Sequence, residues 1–93
     1  MIHAVRFSRK ADKQLPKLPG HIINKLETWV RAVELDGLEM VRRISGYHDE
    51  PLKGTRQGQR SIRLSRAYRA IYVVKTDDTV EFVSVEEVSK HEY

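Results

Sequence analysis

The sequence contains no cysteine. A disulfide framework and a thiolate metal site are both excluded, and no residue type points to an oxidising compartment. Proline is scarce at three residues and tryptophan occurs once. No window approaches the roughly 20 consecutive apolar residues of a membrane-spanning helix. The opening Met1-Ile2-His3-Ala4-Val5-Arg6 lacks the apolar run of a secretion signal. The expected location is therefore cytoplasmic, with no membrane partner. Internal repeats and low-complexity segments are missing too. One further absence is local: between Glu50 and Asp77 there is no acidic residue.

That acid-free stretch carries Lys53, Arg56, Arg60, Arg63, Arg66, Arg69 and Lys75, whereas residues 77–93 hold six acids against the single cation Lys90. The net charge of +4 by itself implies little beyond solubility. Its focusing in one segment says more. Arginine is the side chain whose planar fork grips phosphate, so a polyanion partner is expected. The acidic residues Glu81, Glu86 and Glu87 are expected to orient such a partner by repulsion. His3 and His21 have no neighbours at metal-ligand spacing, and no metal or other cofactor is expected.

A chain of 93 residues suffices for one compact domain, expected over 1–93. Residues 2–7 alternate in the manner of a short strand, and Ser8 offers an N-cap for a helix over 9–15, closed by Pro16. After Pro19-Gly20, the residues Ile22, Leu26, Trp29 and Val33 recur at the three- and four-residue spacing of one helical face, which predicts a main helix over 21–35 with Trp29 in the core. Residues 38–44 add a turn or two of helix. Residues 45–58 read as a loop, long for so small a domain, and long ordered loops tend to be functional. Three strands follow, over 59–65, 68–75 and 79–88, with turns at Arg66-Ala67 and Thr76-Asp77-Asp78. In the first of them Ile62 and Leu64 fall on one face and Ser61, Arg63 and Ser65 on the other. Tyr68 and Tyr72 fall opposite Arg69 and are assigned to the core. The order strand, helix, helix, three strands predicts an α+β domain, with helices on one face of a mostly antiparallel sheet and the other face partly open.

The residues Glu50-Pro51-Leu52-Lys53-Gly54, then Arg60-Ser61-Ile62-Arg63-Leu64, then Tyr68-Arg69-Ala70-Ile71-Tyr72, and the ending Lys90-His91-Glu92-Tyr93, carry a resemblance across nearly the whole chain. Together they resemble the RelE/ParE toxin superfamily, and within it the messenger-RNA interferases of the RelE, YoeB and HigB type. The resemblance implies a RelE-like fold and a toxin of a type II toxin-antitoxin system. It further implies a metal-independent, ribosome-dependent endoribonuclease with two partners, messenger RNA on the ribosome and a cognate antitoxin.

The implied chemistry is attack of an RNA 2′-hydroxyl on the adjacent phosphate, which needs a base, an acid and cations for the developing charge. Arg63 and Arg69, from neighbouring strands, are the expected clamp on the scissile phosphate, with Arg60 and Arg66 on the flanking backbone. Lys53, Arg56 and Lys90 are further RNA-binding candidates. Glu50 aligns with the acid that YoeB-like enzymes carry in the same loop, where it acts as general base; HigB-like relatives carry histidine there, and His48 is the substitute. His91 is the expected proton-transfer group of the tail, since an ordinary imidazole pKa near ~6.5 leaves both forms available. Tyr93 would stack on a base or orient the phosphate, as C-terminal aromatics do in that family. In YoeB-like tails the histidine and tyrosine are adjacent; here Glu92 intervenes, so the tail role stays open between His91 and Tyr93. Two alternatives are a ParE-like toxin, which shares the fold but inhibits DNA gyrase by protein binding and whose members generally lack this acid, histidine and arginine set, and a non-catalytic RNA- or ribosome-binding module, for which the arginine face suffices.

Overall fold

The computed structural model describes residues 1–90; His91 and Tyr93, both candidate site residues, lie outside the described residues. Five strands and three α-helices are arranged as β1 (Ala4–Phe7), α1 (Arg9–Gln14), α2 (Gly20–Asp36), α3 (Leu38–Val41), β2 (Glu50–Pro51), β3 (Arg60–Arg63), β4 (Tyr68–Asp77) and β5 (Val80–Lys90). The sheet order is β1-β5-β4-β3-β2. β1 lies parallel to β5, and every other pairing is antiparallel. This is the α+β architecture expected, with one more strand. Among the described residues no helix is long and apolar enough to cross a membrane.

The core forms because α2 presents Ile22, Leu26, Trp29 and Val33 on one stripe. All four are buried against Ile62, Leu64, Ala70, Tyr72, Val83, Val85 and Val88 of the sheet. Trp29 and Tyr72 meet in a tilted aromatic pair with centroids 5.4 Å apart. Gly37 ends α2 at φ +88, a left-handed backbone that favours glycine, and leads directly into α3.

Sequence and structure differ at strand ends, since Leu64 and Ser65 fall in the turn after β3 and Thr76 and Asp77 belong to β4 instead of a turn, and in two further places. Within the stretch expected to be pure loop, Glu50 and Pro51 pair with Ser61 and Arg60 as a two-residue edge strand, a position where proline's missing N–H costs nothing. In β5 the register slips by one residue, with Ile71 opposite Glu87 but Tyr72 opposite Val85. The extra residue is Glu86. Its carbonyl accepts the Ser8 hydroxyl at 2.7 Å, the Ser8 N–H donates to Val85 O at 2.9 Å, and the same hydroxyl caps α1 through Ala11 N at 3.1 Å. β1 stops here, and α1 covers the edge of β5 beyond it, with Gln14 Oε1 accepting from Val88 N at 2.7 Å. The bulge reverses the parity of the strand, so Val85 and Val88 both face the core while Glu87 lies in the opposite row.

Candidate functional site

Alternation along paired strands builds the site on the face away from α2. The row Ile62-Ala70-Val88 joins the core, so the adjacent row Glu50-Ser61-Ile71-Glu87 and the row Arg63-Arg69-Ser89 lie on the other side. At the end of this face is an open cleft of about 100 Å³, lined by His48, Glu50, Ser61, Arg63, Ser65, Arg66, Tyr68 and Arg69 among others. That volume is about three times a water molecule's share of the liquid, which is room for one small anionic group. Ser65 shapes the rim: its hydroxyl accepts from the N–H groups of Ala67 and Tyr68, both at 3.1 Å, and closes the turn between β3 and β4. The glycine-free turn thereby sets Arg66 beside Arg63 and Arg69.

His48 enters the cleft from the loop before β2, with a left-handed φ of +46. Its Nε2 lies 3.5 Å from Nη1 of Arg63. A guanidinium only donates, so the approach is a hydrogen bond when Nε2 is the accepting nitrogen of the ring. Glu50, two residues on, lines the same cleft. An imidazole, a carboxyl group and three arginines thus converge on one concave surface, a set of the kind that holds an anion and moves a proton beside it.

The other expected cations are placed differently. Arg60 has the parity of Ile62 and Leu64, and its Nε donates to Asp49 Oδ1 at 2.6 Å. It therefore does not track the face of Arg63 and Arg69, because a buried carboxylate holds it on the core side. Burial opposes the charge on Arg60, but hydrogen bonding and attraction to Asp49 outweigh it and hold its pKa above the usual value. Arg56 swings onto Glu87 at 2.5 Å and onto Gln59 Oε1 at 3.0 Å. The hydrogen bond from Arg56 holds the Glu87 carboxyl below its usual range against the opposing effect of burial, with Lys10 assisting from 3.6 Å. Glu86 is paired with Lys75 at 3.5 Å and accepts the Ser84 hydroxyl. These two acids neutralise neighbouring cations, which is not the free repulsive surface that charge counting suggested. Lys53 is exposed in the loop, and Lys90 closes β5 opposite Tyr68. Tyr72 is fully buried as expected, whereas Tyr68 is half-buried, packing on the core and lining the cleft at once.

Sequence reasoning did not single out Asp49, Ser61 or Arg42. Ser61 is 4% exposed on the cleft floor. Asp49 accepts from Tyr72 Oη at 2.6 Å as well as from Arg60, and Arg42 Nε donates to the same phenol at 3.2 Å. The only sequence signal for Asp49 was its place between His48 and Glu50.

The fold and the cleft define a small α+β domain with an open sheet face whose cationic end is fit to hold an anion. No family model and no curated protein sequence matches the chain. Solved structures do. A YoeB/ParE toxin from Agrobacterium tumefaciens superposes with a TM-score of 0.68 at 17% identity, covering 96% of this chain and 99% of that one. The E. coli DinJ-YafQ toxin-antitoxin complex matches with a TM-score of 0.70 at 20% identity, over 98% and 94%. The RelBE2 toxin-antitoxin complex from Mycobacterium tuberculosis matches with a TM-score of 0.65 at 24% identity, over 98% and 100%. The chain has the RelE/ParE toxin fold, over nearly its full length and theirs.

Proposed function

We propose that this protein is a toxin of a type II toxin-antitoxin system that acts in the cytoplasm as a ribosome-dependent messenger-RNA endonuclease. The observation that carries the reading is the convergence of His48, Glu50, Arg63 and Arg69 on one cleft of this fold. Two of the matched structures are toxins with their antitoxins, which supports a cognate antitoxin as the protein partner. In the proposed reaction Arg63 and Arg69 hold the scissile phosphate in the A site, with Arg66 on the flanking backbone. His48 or Glu50 takes the proton of the 2′-hydroxyl as its oxygen attacks phosphorus. The 5′-oxygen leaves with a proton from the C-terminal tail, through His91 or Tyr93. Stabilising the charge that develops on the phosphoryl oxygens is the arginines' share, and such preorganised charge is commonly the largest single contribution. Because His48 lines the cleft beside Arg63, it joins Glu50 as a candidate base.

The test is to map messenger-RNA 5′ ends after a short induction of the chain, in parallel with an Arg63→Ala/Arg69→Ala variant. New ends in register with codons, absent for the variant, are expected. Growth arrest with intact messenger RNA and inhibited supercoiling by purified gyrase would replace this reading with the ParE-like one.

A further inference from the structure

We propose that Asp49, which does not line the cleft, is the positioning residue that sets His48 and Glu50 within it. This rests on the reading of the cleft as the place where RNA is held and cut. The Asp49 side chain is 1% exposed, and each of its oxygens is satisfied: Oδ1 by Arg60 Nε and Oδ2 by the Tyr72 hydroxyl, both at 2.6 Å. Arg42 extends the chain by donating to the Tyr72 oxygen at 3.2 Å. Four segments meet in this network: the end of α3, the loop before β2, β3 and β4. Burial, with the hydrogen bond to Asp49, pushes the Tyr72 phenol up to about 12, so it remains a donor to the carboxylate across the working range.

The geometry links this network to the cleft. The Asp49 side chain is held on the core side by Arg60 and Tyr72, while its two chain neighbours, His48 and Glu50, both line the cleft. His48 holds a left-handed φ of +46. For a residue other than glycine that conformation costs roughly 1 to 3 kcal/mol and persists only where the surroundings fix it. The backbone ties nearby are few: His48 N to Ser45 O at 3.1 Å, the two-residue pairing of β2, and Leu52 N to Gln59 O at 2.9 Å. A buried ion pair adds little stability over well-packed apolar residues; what it supplies here is a fixed place for the residue between two cleft groups.

The experiment compares the full chain with Asp49→Asn and Tyr72→Phe. Asp49→Asn removes the charge facing Arg60, and Tyr72→Phe removes one of the two hydrogen bonds to the carboxylate without opening a large cavity. Backbone amide exchange and the His48 ring resonances are followed by NMR, and RNA cleavage is separated into kcat and KM. In both variants exchange at His48 and Leu52 is expected to accelerate about tenfold against β4 and β5, a local rather than global opening. For Asp49→Asn, kcat is expected to fall about 100-fold with KM for RNA unchanged, since misplacement of a reacting group by about 1 Å has that effect. Unchanged loop exchange and His48 resonances in both variants would overturn the proposal. So would a loss of turnover with the loop undisturbed, because the effect would then not run through His48 and Glu50. If Asp49→Asn does not fold, Tyr72→Phe decides. If the unaltered chain does not cleave RNA, the reading of the cleft fails, and the NMR arm still decides the role of Asp49.

Discussion

Arg60 and Arg63 stand three residues apart in one short strand and do opposite things. Strand parity sends Arg63 to the cleft, 3.5 Å from His48, and Arg60 to the core side, onto Asp49. Their substitutions should separate accordingly. Arg63→Ala removes an exposed side chain, so urea denaturation is expected to be nearly unchanged while cleavage falls by about 100-fold or more. Arg60→Ala leaves a buried carboxylate short of its cation and is expected to cost about 2 to 4 kcal/mol in the same denaturation experiment. Equal stability losses for the two would refute this division. His48 and Glu50 compete for one role, and the general base is the residue whose removal costs cleavage about 10²- to 10⁴-fold. Single-turnover cleavage by His48→Ala and Glu50→Gln measures which. Similar small losses in both would show that neither takes the proton.

At the scale of the element, the bulge at Glu86 decides which β5 acid meets the loop. It places Glu87 opposite Ile71, where Arg56 and Lys10 reach it. The folded-state pKa of Glu87 is depressed, so the contribution is present above the ordinary carboxylate value and is lost as pH falls through the lower folded value. Its size is below about 1 kcal/mol, because Arg56 is largely solvated. Glu87→Gln is therefore expected to be slightly less stable than the unaltered chain at neutral pH and equally stable once the pH has fallen below the depressed folded value, judged by urea midpoints across an acid series. A gap independent of pH would contradict the ion pair. Gly37 is the element-scale counterpart at the other end of the molecule. An alanine there would sit at φ +88 with its Cβ 3.4 Å from the His3 ring, and Gly37→Ala is expected to lower stability by about 1 to 3 kcal/mol. Thermal unfolding that matches the unaltered chain would show that the α2-α3 corner yields.

Over the whole molecule, charge is sorted by the fold. Arg6, Lys10, Arg56, Arg60 and Lys75 are each tied to an acid, namely Asp77, Glu87, Glu87, Asp49 and Glu86, while Arg63, Arg66 and Arg69 gather at the cleft. The segment that reads as one basic run is thus divided into a structural set and a cleft set. Affinity for single-stranded RNA should fall with salt at a logarithmic slope near −2, taking about −0.7 for each of three phosphates neutralised. Arg63→Ala should make the slope shallower by one such step, and Arg56→Ala should leave it nearly unchanged. Fluorescence anisotropy across a salt series measures both, and a slope near zero for the unaltered chain would mean that the cleft does not hold a phosphate backbone.

The main helix, the three C-terminal strands and the Arg63-Arg69 face were legible in the sequence because they rest on local periodicity: a 3.6-residue stripe through Ile22, Leu26, Trp29 and Val33, and a two-residue alternation through Ile62 and Leu64. The tertiary structure alone decided the rest. Residues 45–58 have no period, so nothing local showed that Glu50 and Pro51 join the sheet or that Asp49 is buried. The bulge at Glu86 is set by Ser8, 78 positions away in the chain, and no local pattern records it. Which arginine turns to the core side and which lines the cleft depends on contacts between strands, and those exist only once the chain has closed on itself.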